Sequence, residues 1–163
     1  MNNTLITPAG LARLNEELER LKTVDRYEIA ERLRHALAGE ANAVESGDYQ
    51  GAREEQVLLE RRIALLEDRI ASAAVVEPGD ANGLADVGER IRLRDLDSGA
   101  RFEIELVGQF EADPFAARVS IASPIGRALL GLRRGEVAVV DAPKGRRRLK
   151  VLAVEEQRRA DAA

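Results

Sequence analysis

The strongest constraint in this 163-residue chain is a strip of positions spaced alternately three and four residues apart: Tyr49, Ala52, Gln56, Leu59, Ile63, Leu66, Ile70 and Ala73. A strip that repeats every seven residues stays on one side of an α-helix, and it is stable in water only when a second helix covers it. The chain must therefore supply or recruit a partner for this seam. A candidate precedes it, with Leu11, Leu14, Leu18 and Leu21 at helical spacing, then Ile29, Leu33 and Leu37 after a phase shift around Asp25 and Arg26. Thr7 followed by Pro8 suits an N-cap and first turn, and the helix is expected to end near Gly39. The connection between the segments is short, so the spacing predicts an antiparallel hairpin within one chain. Its outer charges (Glu16, Glu17, Glu19, Arg20; Glu54, Arg61, Arg62, Asp68) are read as a solvated face. A helix of about 30 residues spans about 45 Å at ~1.5 Å per residue, so the arm projects or packs on a partner.

From Val75 to Asp86 the chain reads VVEPGDANGLAD, where Pro-Gly and Asn-Gly mark turns and the heptad stops. Beyond it the apolar period falls towards two: Ile91, Leu93 and Leu96; Phe102, Ile104 and Leu106; Val119 and Ile121; Val137, Val139 and Val140; Leu149, Val151 and Val154. Between these runs SPIGRALLG, Ser123 to Gly131, reads as a Ser-capped short helix with Pro in its first turn and Gly at its stop. The expected fold class is α+β: a coiled-coil hairpin over 1–75, a linker over 76–86, an antiparallel β domain with one short helix over 87–158, and a tail over 159–163.

Composition excludes several chemistries. There is no cysteine and a single histidine, His35, so disulfides, thiolate chemistry and a histidine-based metal site have no residues to build on. No stretch resembles a membrane span or a secretory signal, so no membrane partner and a cytoplasmic location are expected. Net charge of −4 and aromatic content of 3% disfavour free duplex binding and base-stacking platforms, and a protein partner fits better.

Three stretches stand out in order and spacing: Thr7 to Leu21 (TPAGLARLNEELERL), Asp48 to Gln56 (DYQGAREEQ), and Ser123 to Gly131 followed by Gly135 to Val140 (GEVAVV). Together they resemble the Gre family of bacterial transcription elongation and transcript-cleavage factors. The resemblance covers nearly the whole chain. It implies an FKBP-like C-terminal domain that grips the rim of the RNA polymerase secondary channel, with the hairpin entering that channel. By the same resemblance Ser123, Pro124 and Ile125 carry the rim contact, and Arg127 on the same helix is a further candidate. Helix initiation and core packing account for the same residues without a partner.

Cleavage-stimulating members carry an Asp-x-x-Glu pair at the hairpin tip, which helps hold a magnesium ion and its water while the polymerase hydrolyses its own backtracked RNA. Carboxylates are hard oxygen ligands suited to Mg²⁺. Here Asn42 stands where those members have the aspartate, and Glu45 where they have the glutamate. An amide oxygen brings no charge, so the resemblance implies weakened cleavage, or occlusion of the channel without cleavage. Glu45 and Asp48 are the candidate tip carboxylates, Glu45 shared with the magnesium of the polymerase, and Glu40 is a possible substitute. The chain would donate ligands rather than catalyse, with no cofactor of its own, touching nascent RNA only indirectly and acting as a monomer. Ser46 also reads as an N-cap and Asp48 as a first-turn acid favoured by the helix dipole.

Two rivals remain. An FKBP-type prolyl isomerase would need aromatic walls, for which the β domain offers Phe102, Phe110 and Phe115. A coiled-coil dimer would pair the seam between chains. The basic run Arg146, Arg147, Arg148 and Lys150 reads as a solvated edge strand. GLRRG around Leu132 lacks the ending of a phosphate loop, and isolated His35 suggests no ligation.

Overall fold

The structure, a computed structural model, describes residues 4–38, 44, 46–77, 83–142 and 145–156. Residues 12–72 form one compact unit, while residues up to Leu11 and those from Ala73 onward form a second. Thr4 to Leu11 thus group with the sheet, although the expected hairpin bounds of 1–75 include them.

Helix α1 (Pro8–Arg20), which enters the first unit at Ala12, runs through a π-helical turn, Leu21–Asp25, into α2 (Arg26–Ala38). The Arg26 N–H donates to the Leu21 carbonyl five residues back, which accommodates one extra residue and accounts for the phase shift in the leucine pattern. After Ser46, α3 spans Gly47–Ala71 and buries Ala52, Leu59, Ile63 and Leu66 on its seam. Facing positions Leu14, Leu21 and Ile29 are buried as well. Beyond Ile29 the rhythm continues through half-buried Leu33 and Ala36, and Leu37, expected on the seam, is 49% exposed. Ala73 lies past the helix end on a strand, so the seam closes at Ile70.

Salt bridges tie α3 to the first helix on both sides. Arg26 forks onto Glu60 at 2.8 and 2.7 Å, Arg32 forks onto Glu55, Lys22 meets Glu67 at 2.6 Å, and Arg62 meets Glu17. Glu17 and Arg62, read as merely solvated, therefore pair across the hairpin. Exposed pairs of this kind contribute roughly 0–1 kcal/mol each, so the apolar seam carries the stability and the charges fix register.

In the second unit, β1 (Thr4–Ile6) pairs in parallel with β2 (Ala73–Val75). The main sheet holds β3 (Glu89–Asp95), β4 (Arg101–Val107), β5 (Arg118–Ser120), β6 (Val137–Ala142) and β7 (Gly145–Glu156) in the order β5-β4-β3-β7-β6. Its pairs are antiparallel except β4 with β5, which is parallel and departs from the all-antiparallel expectation. Two short 3-10 turns, Gln109–Glu111 and Pro114–Ala116, carry the chain back so that β5 runs alongside β4 in the same direction. Helix α4 (Pro124–Leu129) packs Leu129 onto a core of Ile91, Leu93, Leu106, Leu149 and Val151.

Period-two alternation sorts the remaining valines. Ala138 and Val140 of β6 point inward, which leaves Val137 and Val139 exposed, and Leu96 is exposed in the turn after β3. Strand β7 lies between β3 and β6, so the basic run is not on a sheet edge as its composition suggests. Its arginines are neutralised one by one: Arg146 by Asp141, Arg147 by Asp95 and Arg148 by Asp97.

Candidate functional site

The start of α3 and the β unit each present residues with chemistry. At the start of α3, the Ser46 hydroxyl accepts the Tyr49 N–H at 3.2 Å, and the side-chain amide of Gln50 donates to the Val44 carbonyl at 2.8 Å. Asp48 sits exposed in the first turn, where a carboxylate complements the positive helix end. It borders a shallow depression of about 520 Å³ with a floor of Ala36, Gly47, Gly51 and Ala52 and walls of Arg32, His35 and Glu55. Glu40, Asn42 and Glu45 lie outside the described residues. Among the described residues no cluster of three or more His, Cys, Asp or Glu could hold a metal ion.

On the β unit the SPIGRALLG segment forms one wall of an open apolar groove of about 350 Å³. Ser123 caps α4 by accepting the Gly126 N–H at 3.0 Å, and Pro124 occupies the first turn where no N–H is needed. The structure brings Ser123, Pro124 and Ile125 into this groove, opposite Pro114, Val119, Val140 and Leu149. Arg127 is not among its lining residues and is exposed on α4. Gly126 permits the close approach of α4 to β5, because a Cβ there would stand 2.1 Å from the Ser120 carbonyl oxygen.

Two arginines frame the groove, each fixed by an aspartate. Arg118 reaches Asp113 at 2.9 Å, and Arg147 reaches Asp95 at 2.6 Å. The Asp95 carboxylate, whose side chain is 4% exposed, also accepts the N–H groups of Ser98 at 3.0 Å and Asp97 at 2.9 Å. The Ser98 N–H, then the Arg147 guanidinium, then the Asp97 N–H hold it down to about 2. Asp113 is held below the usual aspartate range first by Arg118 and then by the Phe115 and Ala116 N–H groups that it caps.

That cap, followed by Ala117 in the left-handed conformation at φ 53°, presents Phe115 fully exposed beside Pro114 of the groove wall. A fully exposed Phe on a braced turn is a departure from the burial usual for this residue. By composition Phe115 is only a wall of the rival isomerase pocket, and no aromatic residue lines the groove. Phe102 instead packs on the core. The framing aspartates left no sequence signal, since their arginines lie 52 and five residues away in the chain.

Residues 4–75 match the family description "Transcription elongation factor, N-terminal" and residues 80–156 match "Transcription elongation factor, GreA/GreB, C-term". The chain belongs to the GreA/GreB family. Among its relatives, a transcription elongation factor GreA of Ralstonia nicotianae is 41% identical over 94% of this chain and 98% of that protein. The GreA of Alkaliphilus oremlandii is 38% identical over 92% and 94%. The crystal structure of the GreA factor homolog Gfh1 of Thermus thermophilus is 32% identical, covering 94% of this chain and 99% of that one with a TM-score of 0.41. Among the described residues no helix is long and apolar enough to cross a membrane.

Proposed function

We propose that this transcription elongation factor of the GreA/GreB family binds RNA polymerase at the rim of its secondary channel and directs the hairpin tip towards the active site. The observation that carries the reading is the groove: Pro124 and Ile125 line an open apolar surface beside a fully exposed Phe115. An apolar centre framed by charged groups is the usual anatomy of a protein-binding patch. At the other unit, α3 of 25 residues extends about 37 Å at ~1.5 Å per residue, enough to reach well beyond its own connection.

At the tip Glu45 and Asp48 supply carboxylates to the magnesium of the polymerase, and backtracked RNA is the substrate that the polymerase itself cleaves. Asp48 suits this role, since its carboxylate is exposed and makes no hydrogen bond or ion pair among the described residues. The chain works in the cytoplasm as a monomer and supplies ligands rather than a complete active centre. Asn42, uncharged where cleavage-active members have aspartate, favours a second form of the same reading in which the tip occludes the channel and cleavage is weak.

Core polymerase immobilised on a sensor surface tests the first half: the parent chain associates, and Ile125→Asp weakens association at least about tenfold by placing a charge in the groove. Unchanged association of Ile125→Asp, or none by the parent, refutes the docking assignment. Stalled elongation complexes with labelled RNA test the second half. Weak shortening that rises in Asn42→Asp and vanishes in Glu45→Ala supports ligand donation, and vigorous shortening by the parent removes the occlusion form.

A further inference from the structure

The solvent face of the main sheet arranges its charges in rows across the strands. Arg90 of β3 lies between Glu105 of β4 and Glu155 of β7, and Arg92 lies between Glu103 and Ala153. These rows are compensated, with Arg92 ion-paired to Glu155 and Arg90 3.9 Å from Glu103. The next row is not. Arg94 stands directly opposite Arg101 on one side and Lys150 on the other, with Val137 of β6 beyond.

All three cations are exposed, and none has a side-chain hydrogen bond or ion pair among the described residues. Exposed Arg134 is likewise unpaired there, and with Arg92, Arg101 and a single acid, Glu103, which already faces Arg90, it surrounds a depression of about 470 Å³ floored by Leu152 and Ala153. Like charges directly opposite on paired strands are destabilising. Acidic side chains are not scarce in a chain of net charge −4, and the adjacent arginines 146 to 148 each have an aspartate. The absence of an acid from this one row therefore calls for an anionic partner.

We infer that the row Arg101–Arg94–Lys150, with Arg134, binds the phosphate backbone of a nucleic acid strand. An acidic protein surface would be expected to bring a large apolar anchor into the contact, but the apolar side chains beside these cations are Val137 and Val139 of the edge strand and Leu152 and Ala153 of the depression, with no exposed aromatic ring beside them among the described residues. The arginine fork suits phosphate oxygens, and the row crosses two strand spacings, roughly 10 Å. The depression has one aromatic in its lining, Phe102, and that ring packs into the core, so bases have no platform and recognition is of the backbone alone. Such a contact is weak by itself. It gains effective concentration from the proposed polymerase association and rests on that reading for its setting, though not for its measurement.

The experiment is fluorescence anisotropy of the full chain with labelled single-stranded RNA and with duplex DNA of the same sequence, across a salt series. Four phosphate contacts on a single strand give a slope of log affinity against log salt of about −3, from roughly −0.7 per phosphate. Arg94→Gln/Arg101→Gln/Lys150→Gln should lose at least about tenfold in low-salt affinity and flatten that slope. Arg146→Gln/Arg148→Gln, which removes two compensated cations, should bind as the parent does. The preferred probe, RNA or duplex, identifies the strand. The triple variant should melt no lower than the parent, because it relieves like-charge opposition.

Polymerase association, measured in parallel, separates this inference from the previous one: Ile125→Asp keeps nucleic acid binding, and the triple variant keeps polymerase binding. No binding of either probe by the parent, or undiminished binding by the triple variant, overturns the assignment. Competition by polyglutamate as effective as by RNA at equal charge overturns it in favour of an acidic polypeptide.

Discussion

Removing the Glu111 side chain should uncouple the start of α1 from the sheet unit. The Glu111 carboxylate, 6% exposed, accepts the Thr7 N–H at 2.9 Å and the Gly108 N–H at 3.0 Å on one oxygen, and the Thr7 hydroxyl on the other. That hydroxyl in turn caps the helix by accepting the Gly10 N–H at 3.0 Å. Glu111→Ala leaves two N–H groups and a hydroxyl without their acceptor in a buried place. Each orphaned group costs about 1–3 kcal/mol, and the three share one cavity that water partly refills, so a total of about 3–5 kcal/mol is expected. For a chain of this size that corresponds to a drop of roughly 6–20 °C in the melting midpoint. Glu111→Gln is the informative control. Its oxygen can keep both N–H groups while its amide donates to the second lone pair of the Thr7 hydroxyl, which leaves one orphan, the hydroxyl proton, in place of three, so the loss should stay at about 1–2 kcal/mol. Calorimetry gives the midpoints, and amide exchange at Gly10 and Gly108 reports the local opening. If alanine and glutamine variants melt together, or if alanine costs under about 1 kcal/mol, the buried carboxylate is not the clasp described.

Four further outcomes are expected. Asp95 is depressed from its ordinary 3.8 to about 2, so its contribution is present in full above the ordinary value and is lost as pH falls through the folded one; the lead of the parent over Asp95→Asn in melting midpoint should shrink between those two pH values, and a constant lead refutes the assignment. Gly126→Ala should destabilise by about 1–3 kcal/mol, since the Ser120 backbone oxygen 2.1 Å from the new Cβ cannot move aside cheaply, and unchanged denaturant unfolding would show otherwise. Ile63→Ala on the hairpin seam, 3% exposed in the parent, should cost about 2–5 kcal/mol by helical circular dichroism in denaturant, and a cost under about 1 kcal/mol would mean that the seam is not packed. Deleting exposed Val24 should remove the extra residue of the π-helical turn, leave Leu21 and Ile29 seven positions apart, and preserve the melting midpoint; loss of helical signal would contradict that account.

The hairpin was legible because its signal is local: each seam residue lies three or four positions from the next, and Thr7-Pro8 and Ser46 mark their own helix starts. The phase shift at Asp25 was visible as a broken rhythm, although its physical form, an i to i−5 hydrogen bond at Arg26, is not a property of residue type. Strands β1 and β2 were missed because three residues carry no alternation to detect. The parallel return of β5 depends on two single-turn elements capped by Glu111 and Asp113, whose partners are remote or belong to the backbone. At the candidate site, the SPIG segment announced its helix cap and its groove-facing residues, whereas Arg118, Arg147 and the exposed Phe115 acquire meaning only from the fold.

Charge rows are the extreme case of information that a linear reading cannot hold, because opposition across strands is a matter of register. The Arg94 and Arg101 pair faces one another only through the β3–β4 turn, where the Asp95 N–H donates to the Ala100 carbonyl at 2.9 Å and the Gly99 N–H to the Asp95 carbonyl at 2.8 Å. Gly99 adopts φ 77°, and the Asp95 carboxylate gathers the Asp97 and Ser98 N–H groups of the turn. A slip of one residue would turn the cations of one strand into the core, so the register admits no near alternative. Asp95 thus has a double effect: one oxygen fixes the turn that aligns cations on the outer face, and the other holds Arg147 at the rim of the inner groove. If nucleic acid and polymerase occupy those two faces, loosening this single aspartate should weaken both contacts together, whereas substitutions on either face alone should weaken only one.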